Sequence, residues 1–224
     1  MKKAINYLAA ASLLIMASCG NNETEETAVV EPVKATYSVN TTESVLNWKG
    51  KKLYSEDSHA GTLMFSEGSI TVEDSVITAA NFTVDLNTMA TTDSIPEEKK
   101  GYLIGHLKAA DFFAVDSLGA NVTLSVTSLE NNTLKGALTV MGVSKDIEIS
   151  VNTVVSAEKI TINGTFDVDM AQFGVKFLQQ PAADAKLTDE EKQNVYDPKV
   201  YFTVNVVANV DAAPATVETT EESK

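Results

Sequence analysis

The chain has 224 residues, enough for one domain with tails, and sets 31 Asp and Glu against 17 Lys and no Arg. A formal charge of −14 without any guanidinium, the group suited to bidentate phosphate contacts, argues against nucleic acid as a partner. The single cysteine excludes an internal disulfide.

The chain opens on a charged "MKK" and a short apolar run, "AINYLAAASLLIMA". That run is shorter than the ~20 residues of a membrane span and reads as a secretory signal peptide over residues 1–18. Its end, "MASC", resembles a bacterial lipobox with Met16 in place of the usual Leu. The resemblance implies cleavage before Cys19 and lipidation of its thiol. The alternative is an ordinary signal peptide with a chance cysteine. Lipidation would hold the protein in the cell envelope, on the periplasmic side or outer surface of a bacterial membrane. Loss of Lys2 and Lys3 would move the formal charge from −14 to −16. Residues 19–35 are acidic, lack periodicity and read as a tether, and residues 211–224 read as a disordered acidic tail.

Between the tails the dominant period is two. Trp48, in "LNWKGKK", stands early in the first strands. It is expected to plug the base of a barrel or to touch a ligand. Lys49, Lys51 and Lys52 beside it form the densest positive cluster, either a solvated strand face or a contact for an anionic head group. "SEGS" reads as the turn between "GTLMF", which carries Phe65, and "ITVEDSVI". "NFTVDLN" places Phe82, Val84 and Leu86 on one face, and "NVTLSVTSL" does the same for Val122, Leu124 and Val126. "TLKGALTV", "DIEISV", "KITINGTFDV" with Phe166 and "VYFTVNVVANV" with Phe202 continue the alternation. "ENNT", "MGVSKD" and "SAEK" read as hairpin turns. Eight to ten antiparallel strands suit a sandwich or a closed barrel.

Two segments break the pattern. "SIPEEKKGYLIGHLKAADFF" has Ser94 three before Glu97 and an apolar stripe of Leu103, Ile104 and Leu107, which predicts a capped helix weakened by Gly101 and Gly105. Its terminal Phe112 and Phe113 are either core or the lining of a lid. "PAADAKLTDEEKQNVYDP" is either a short helix or a long loop.

Groups that would make an enzyme do not assemble in the sequence. His59 has Glu56 and Asp57 nearby, but a catalytic zinc site usually needs three protein ligands, and neither a His-x-x-x-His nor a Cys-x-x-Cys occurs. Ser156 and Lys159 match a Ser-x-x-Lys spacing inside a predicted turn, without a Lys-Thr-Gly partner. No phosphate-cradling glycine loop is present. Neither a metal nor a cofactor is expected.

Three stretches together resemble the YceI-like family. "FTVDLNTM" is similar to a family strand that ends in an Asp-x-x-Ser/Thr motif. "GHLKAADFFAVD" resembles its His-Leu-x-x-x-Asp-Phe-Phe-x-Val motif, and "LKGALTVMGVSKDIEISV" its Gly-x-Leu-Thr-x-x-Gly-Val-Thr-Lys hairpin. "DMAQFGVKF" looks like the family's Asp-Arg-x-x-Phe-Gly, with Met170 where that pattern has Arg. The resemblance spans residues 36–210. It implies an all-β fold, an antiparallel lipocalin-like barrel of about eight strands with one or two short helices, holding a polyisoprenoid or an isoprenoid quinone. Residues expected to line the ligand are Trp48, Phe65, Phe82, Val84, Leu86, Leu103, Leu107, Phe112, Phe113, Leu124, Phe166 and Phe202. The alternative is a non-catalytic envelope lipoprotein with a filled barrel. Oligomeric state is not legible, and a homodimer stays an open alternative.

Overall fold

The computed structural model describes residues 34–211. The expected signal peptide, Cys19 with its tether up to residue 33, and the tail beyond residue 211 lie outside them.

The alternating segments form ten antiparallel strands: β1 (Lys34–Val39), β2 (Val45–Lys51), β3 (Ser58–Glu73), β4 (Val76–Thr91), β5 (Asn121–Glu130), β6 (Thr133–Val140), β7 (Val143–Ser150), β8 (Asn152–Val155), β9 (Lys159–Asp169) and β10 (Lys199–Val210). They join in the order β7-β6-β5-β4-β3-β1-β10-β9-β8, and β2 also lies between β3 and β10. Two of the positions are broken strands. β1 and β2 share the place between β3 and β10 at opposite ends, Lys34 facing Glu73 and Lys51 facing Ser58. The break is a turn in which Asn40 Oδ1 accepts hydrogen bonds from the N–H groups of Thr42 and Glu43. β7 and β8 are separated by Val151 alone, β7 pairing with β6 and β8 with β9. The sheet closes through that shared strand, so the ten segments occupy eight positions of a closed antiparallel barrel. Closure leaves few free edges. Gly164 on β9 faces the kink: a Cβ there would lie 2.8 Å from Ser150 O and 3.1 Å from Val151 Cγ1.

Side chains two apart share a face, and the inward face is apolar throughout. Phe82, Val84 and Leu86 of β4, Ile160 and Ile162 of β9, and Phe202, Val204 and Val206 of β10 are all buried. Each such side chain contributes about 1.5–3 kcal/mol on full burial. Tyr37 ties one end of the barrel together by donating its hydroxyl to Ser156 O, 2.8 Å away.

The hairpins at Asn131-Asn132, at Met141-Gly142 and at residues 156–158 fall where the sequence placed them. The "SEGS" turn does not exist. β3 runs through it, and the hairpin lies later, at Asp74 and Ser75, both with positive φ. What the sequence reports at "SEGS" is a β-bulge: the β3–β4 register slips between Phe65 and Glu67. The slip flips the inward phase of β3 from Leu63 and Phe65 to Ile70 and Val72.

The helical stretch forms α1 (Glu97–Lys108), entered through Pro96. The expected Ser94 cap is absent, since no side chain caps the N-terminus. A one-turn helix that sequence reading missed, α2 (Val115–Leu118), follows Ala114, which has positive φ. The segment after Pro181 is mostly loop, with one turn, α3 (Asp189–Lys192), closed by a capping box between Thr188 and Glu191. All three helices lie at one end of the barrel, where β4 ends and β5 begins. The described chain starts and finishes at the other end, where Lys34 faces Glu73 and Tyr37 faces Val210.

Candidate functional site

The interior is hollow in places, and its spaces follow one another along the barrel. The deepest is ≈ 100 Å³ and is bordered by inward residues of eight strands, among them Leu46, Phe65, Leu124, Ile147, Phe166 and Val204. Along β9 its lining runs from Ile162 to Val168, about 20 Å at ~3.3 Å per residue, so the space is elongated along the barrel. A second space of ≈ 90 Å³ shares Leu46, Val84, Val122, Met170 and Phe202 with the first, and adds Trp48, Leu86, Phe112 and Phe113. A vestibule of ≈ 740 Å³ shares Trp48, Gly50, Leu107, Phe112 and Val200 with the second. Along β10 the sequence runs from Val206 and Val204 at the deep end, through Phe202 and Val200, to Asp197 in the vestibule. Residues 197–206 cover about 30 Å of extended chain at ~3.3 Å per residue.

Four inward residues show why this space matters. Leu46, Val122, Leu124 and Phe166 point into the barrel yet stay only half-buried. They pack against the core cluster and border the hollow as well. Interiors are ordinarily packed to crystal density with few voids, so a series of apolar spaces along a barrel is a feature to be explained.

The lid end is built from three segments. α1 buries no residue and leaves Leu103, Ile104 and Leu107 half-buried, the last two against the core. The turn that follows buries Phe112 and Phe113. The 3-10 turns Met170–Phe173 and Lys176–Leu178 complete the cover. Phe177 N–H donates to Asp111 O at 2.9 Å, which joins the last two. The Phe177 ring lies 4.7 Å from His106 and 5.5 Å from Phe112, so His106 is held edge-on among aromatics.

Polar groups gather at the vestibule in compensated pairs. Lys51 lies 3.6 Å from Asp197, and Lys52 lies 3.2 Å from Asp57. The Lys51 ammonium is held above the usual lysine value, by the Tyr201 phenol first and by Asp197 next. His59 pairs with Asp93, Nδ1 to Oδ2 at 2.5 Å, and not with Glu56 or Asp57. Burial pushes the Asp93 carboxyl up, but His59, the Ala60 N–H and Thr91 outweigh it and hold the carboxyl below its usual value. Among the described residues no group of three or more His, Cys, Asp or Glu is placed to hold a metal. Ser156 and Lys159 serve the β8–β9 turn: Ser156 Oγ donates to Lys159 O at 2.7 Å.

Of the sequence-derived candidates, Phe65, Phe82, Val84, Leu124, Phe166 and Phe202 border the deep space. Leu86 and Phe113 border the middle one, Leu103 the vestibule, and Trp48, Leu107 and Phe112 both of the latter. Trp48 is buried, but it does not plug the end where the chain enters; it stands at the throat between the middle space and the vestibule. Its indole lies over Gly61, where a Cβ would come within 2.6 Å of the ring and 1.9 Å of Ala90 O. Sequence reading did not single out Tyr196 and Val200, and it counted Phe177 with the interior phenylalanines without naming it as a ligand contact. Phe177 was within reach of it, being part of "DMAQFGVKF". In the same motif Met170 is buried and borders both inner spaces, so an apolar thioether stands where the family pattern has a cation.

A barrel with two broken strands, a bulged long hairpin and a helical cover at one end is a specific architecture. The model of the YceI-like domain matches residues 37–212. The chain belongs to the YceI-like family. Burkholderia cenocepacia BcnA has a similar structure, with a TM-score of 0.56 at 14% identity over 75% of this chain and 98% of that one. A Campylobacter jejuni YCEI protein aligns with a TM-score of 0.46 at 17% identity, over 66% of this chain and 84% of that one. A mutant of the Campylobacter protein with a monobromobimane guest aligns with a TM-score of 0.44 at 17% identity, over 61% of this chain and 74% of that one. Among curated proteins no match was found. Family membership fits a non-catalytic protein.

Proposed function

We propose that this YceI-like barrel holds an apolar chain lipid, a polyisoprenoid or isoprenoid quinone, as a carrier or store at the bacterial envelope. The observation that carries the reading is the passage itself: apolar spaces in series, from Val206 to the vestibule, bordered by inward side chains that remain half-buried. Binding would be physical. Hydrocarbon buried against this wall gains about 25 cal/mol per Å². Polar groups are confined to the vestibule, where they would orient a head group. A thin bore bordered by eight strands fits an extended chain better than a fused ring system.

The same reading assigns the "MASC" cysteine, Cys19, a lipid anchor that keeps the barrel beside its lipid pool, on the periplasmic side or the outer surface. A single acyl chain binds a membrane only marginally, and several chains hold firmly.

The test is mass spectrometry of an organic extract of protein purified without detergent. One isoprenoid species at close to one per chain is the expected result. A barrel that yields no lipid, although fully folded and purified from membranes rich in such lipids, is a filled envelope protein and not a carrier.

A further inference from the structure

We propose that the rim of the vestibule is a docking surface for a lipid bilayer of zwitterionic, uncharged-on-average composition, across which the barrel exchanges its lipid. The inference rests on the lipid-holding reading above and adds the surface through which the lipid passes.

Three large apolar or amphipathic side chains stand exposed around this opening. Tyr102 on α1 is 80% exposed, and Tyr54 and Leu53 in the β2–β3 loop are 55% and 44% exposed. The vestibule separates them, since it is bordered by Glu98, Lys99 and Tyr102 on one side and by Lys52, Asp57 and Ser58 on the other. Tyrosine suits a membrane interface, with an apolar ring and a hydroxyl that stays wet. Packing within the protein does not account for Tyr102, because α1 buries no residue at all. A hydrocarbon leaving the passage through water would expose its whole chain; leaving between apolar residues pressed to a bilayer, it would not.

Charge selects the kind of bilayer. Most cations nearest the rim are matched: Lys51 by Asp197, Lys52 by Asp57, Lys100 by Glu97 and Lys192 by Asp189, while Lys99 stands beside Glu98 with no ion pair of its own among the described residues. Juxtamembrane binding to anionic lipid uses clusters of unmatched Lys and Arg, and the chain contains no Arg. One unmatched lysine beside an acid is no such cluster, so the rim offers insertion with little electrostatic attraction. An anchor at Cys19 does not prevent this orientation. Residues 19–34 reach at most about 50 Å when extended, more than the ~40 Å of twelve-residue β10.

The experiment is flotation of the full chain carrying Cys19→Ser, so that no acyl anchor contributes, with phosphatidylcholine vesicles. The protein is expected to float with them. Tyr54→Asp together with Tyr102→Asp should lower the vesicle-bound fraction at least about tenfold, since two rings would no longer leave water. Val76→Asp with Val154→Asp, equally exposed valines far from the vestibule, should leave it unchanged. Adding phosphatidylglycerol should not raise binding, and added salt should not release it. The proposal is overturned if the Cys19→Ser chain stays in solution, if the tyrosine pair floats as well as its parent, if the valine pair is equally defective, or if only anionic vesicles bind. Extractable lipid is measured on the same samples. A chain that floats but carries no lipid sinks the cargo reading and keeps the docking surface; a lipid-loaded chain that never floats does the reverse.

Discussion

At the scale of single residues, the throat depends on an absent side chain. Gly61 faces Trp48 across the β2–β3 pair and has room for no Cβ, with backbone Ala90 O only 1.9 Å from where one would sit. The obstruction is backbone and a packed indole, so it does not yield cheaply. Gly61→Ala is expected to cost about 1–3 kcal/mol, toward the upper end, as over-packing does. A urea midpoint unchanged from the parent would show that the wall gives way. Asp93 makes a second residue-scale prediction. Its carboxylate receives hydrogen bonds from His59 and from the Ala60 N–H, and these, with the Thr91 hydroxyl close by, hold its folded value below the ordinary 3.8 despite burial. A depressed carboxylate stabilises the fold above its unfolded pKa, and that contribution is lost as pH falls through the lower folded value. Asp93→Asn should therefore lower the urea midpoint near neutrality and make the decline below about pH 4 shallower than in the parent. Parallel pH curves for the two proteins would contradict this.

At the scale of elements, strands were legible in the sequence and their interruptions were not. Period-two alternation located β6, β9 and β10 because each keeps one phase throughout, and β4 and β5 because Phe82, Val84 and Leu86, and Val122, Leu124 and Val126, hold one phase over most of the strand. β3 was misread because its bulge changes phase mid-strand, and Ser66, Glu67 and Gly68 then imitate a turn. The passage lining was legible for the same reason the strands were: inward phase means interior, and Phe82, Leu124 and Phe202 follow from it. Tyr196 was not, since it sits in irregular backbone whose course no periodicity reports, whereas Val200 shares the phase of Phe202 and went unnamed. α2 was missed because four residues carry no period. The lid segment is where sequence left a choice between core and lining, and both Phe112 and Phe113 turn out buried while bordering a hollow. Deleting a tightly packed Phe costs about 3–5 kcal/mol. Against a lipid the loss is shared with the ligand, and a helix without buried residues opens at low local cost. Phe113→Ala should thus speed release of bound isoprenoid more than it lowers the unfolding midpoint of delipidated protein. Delipidated samples are required, because bound lipid stabilises the fold by mass action. A variant that loses several kcal/mol yet keeps its lipid would make these rings ordinary core.

At the scale of the whole molecule, the ends of the barrel are differentiated. One end carries the chain's first and last described residues and the hairpins at Asp74-Ser75 and Asn131-Asn132; the other carries the three helices and the vestibule. Under the anchor reading, Cys19→Ser should lower membrane retention and leave only the association through the vestibule rim, which adding Tyr54→Asp and Tyr102→Asp should release to the soluble envelope or secreted fraction. Unchanged fractionation would assign retention to some other part of the chain. The central claim is that the interior is hollow because it is occupied by a lipid chain. Val204 projects into the deep space opposite residues of β5 and β7, and Val204→Trp would fill that space without touching the vestibule. Native mass spectrometry of the parent and of Val204→Trp, purified side by side and matched for folded content by circular dichroism, weighs the protein with whatever it holds. The parent should carry one added mass per chain that matches a lipid, and the folded variant should lack it. Equal added mass in both proteins, or none in the parent, would contradict the claim.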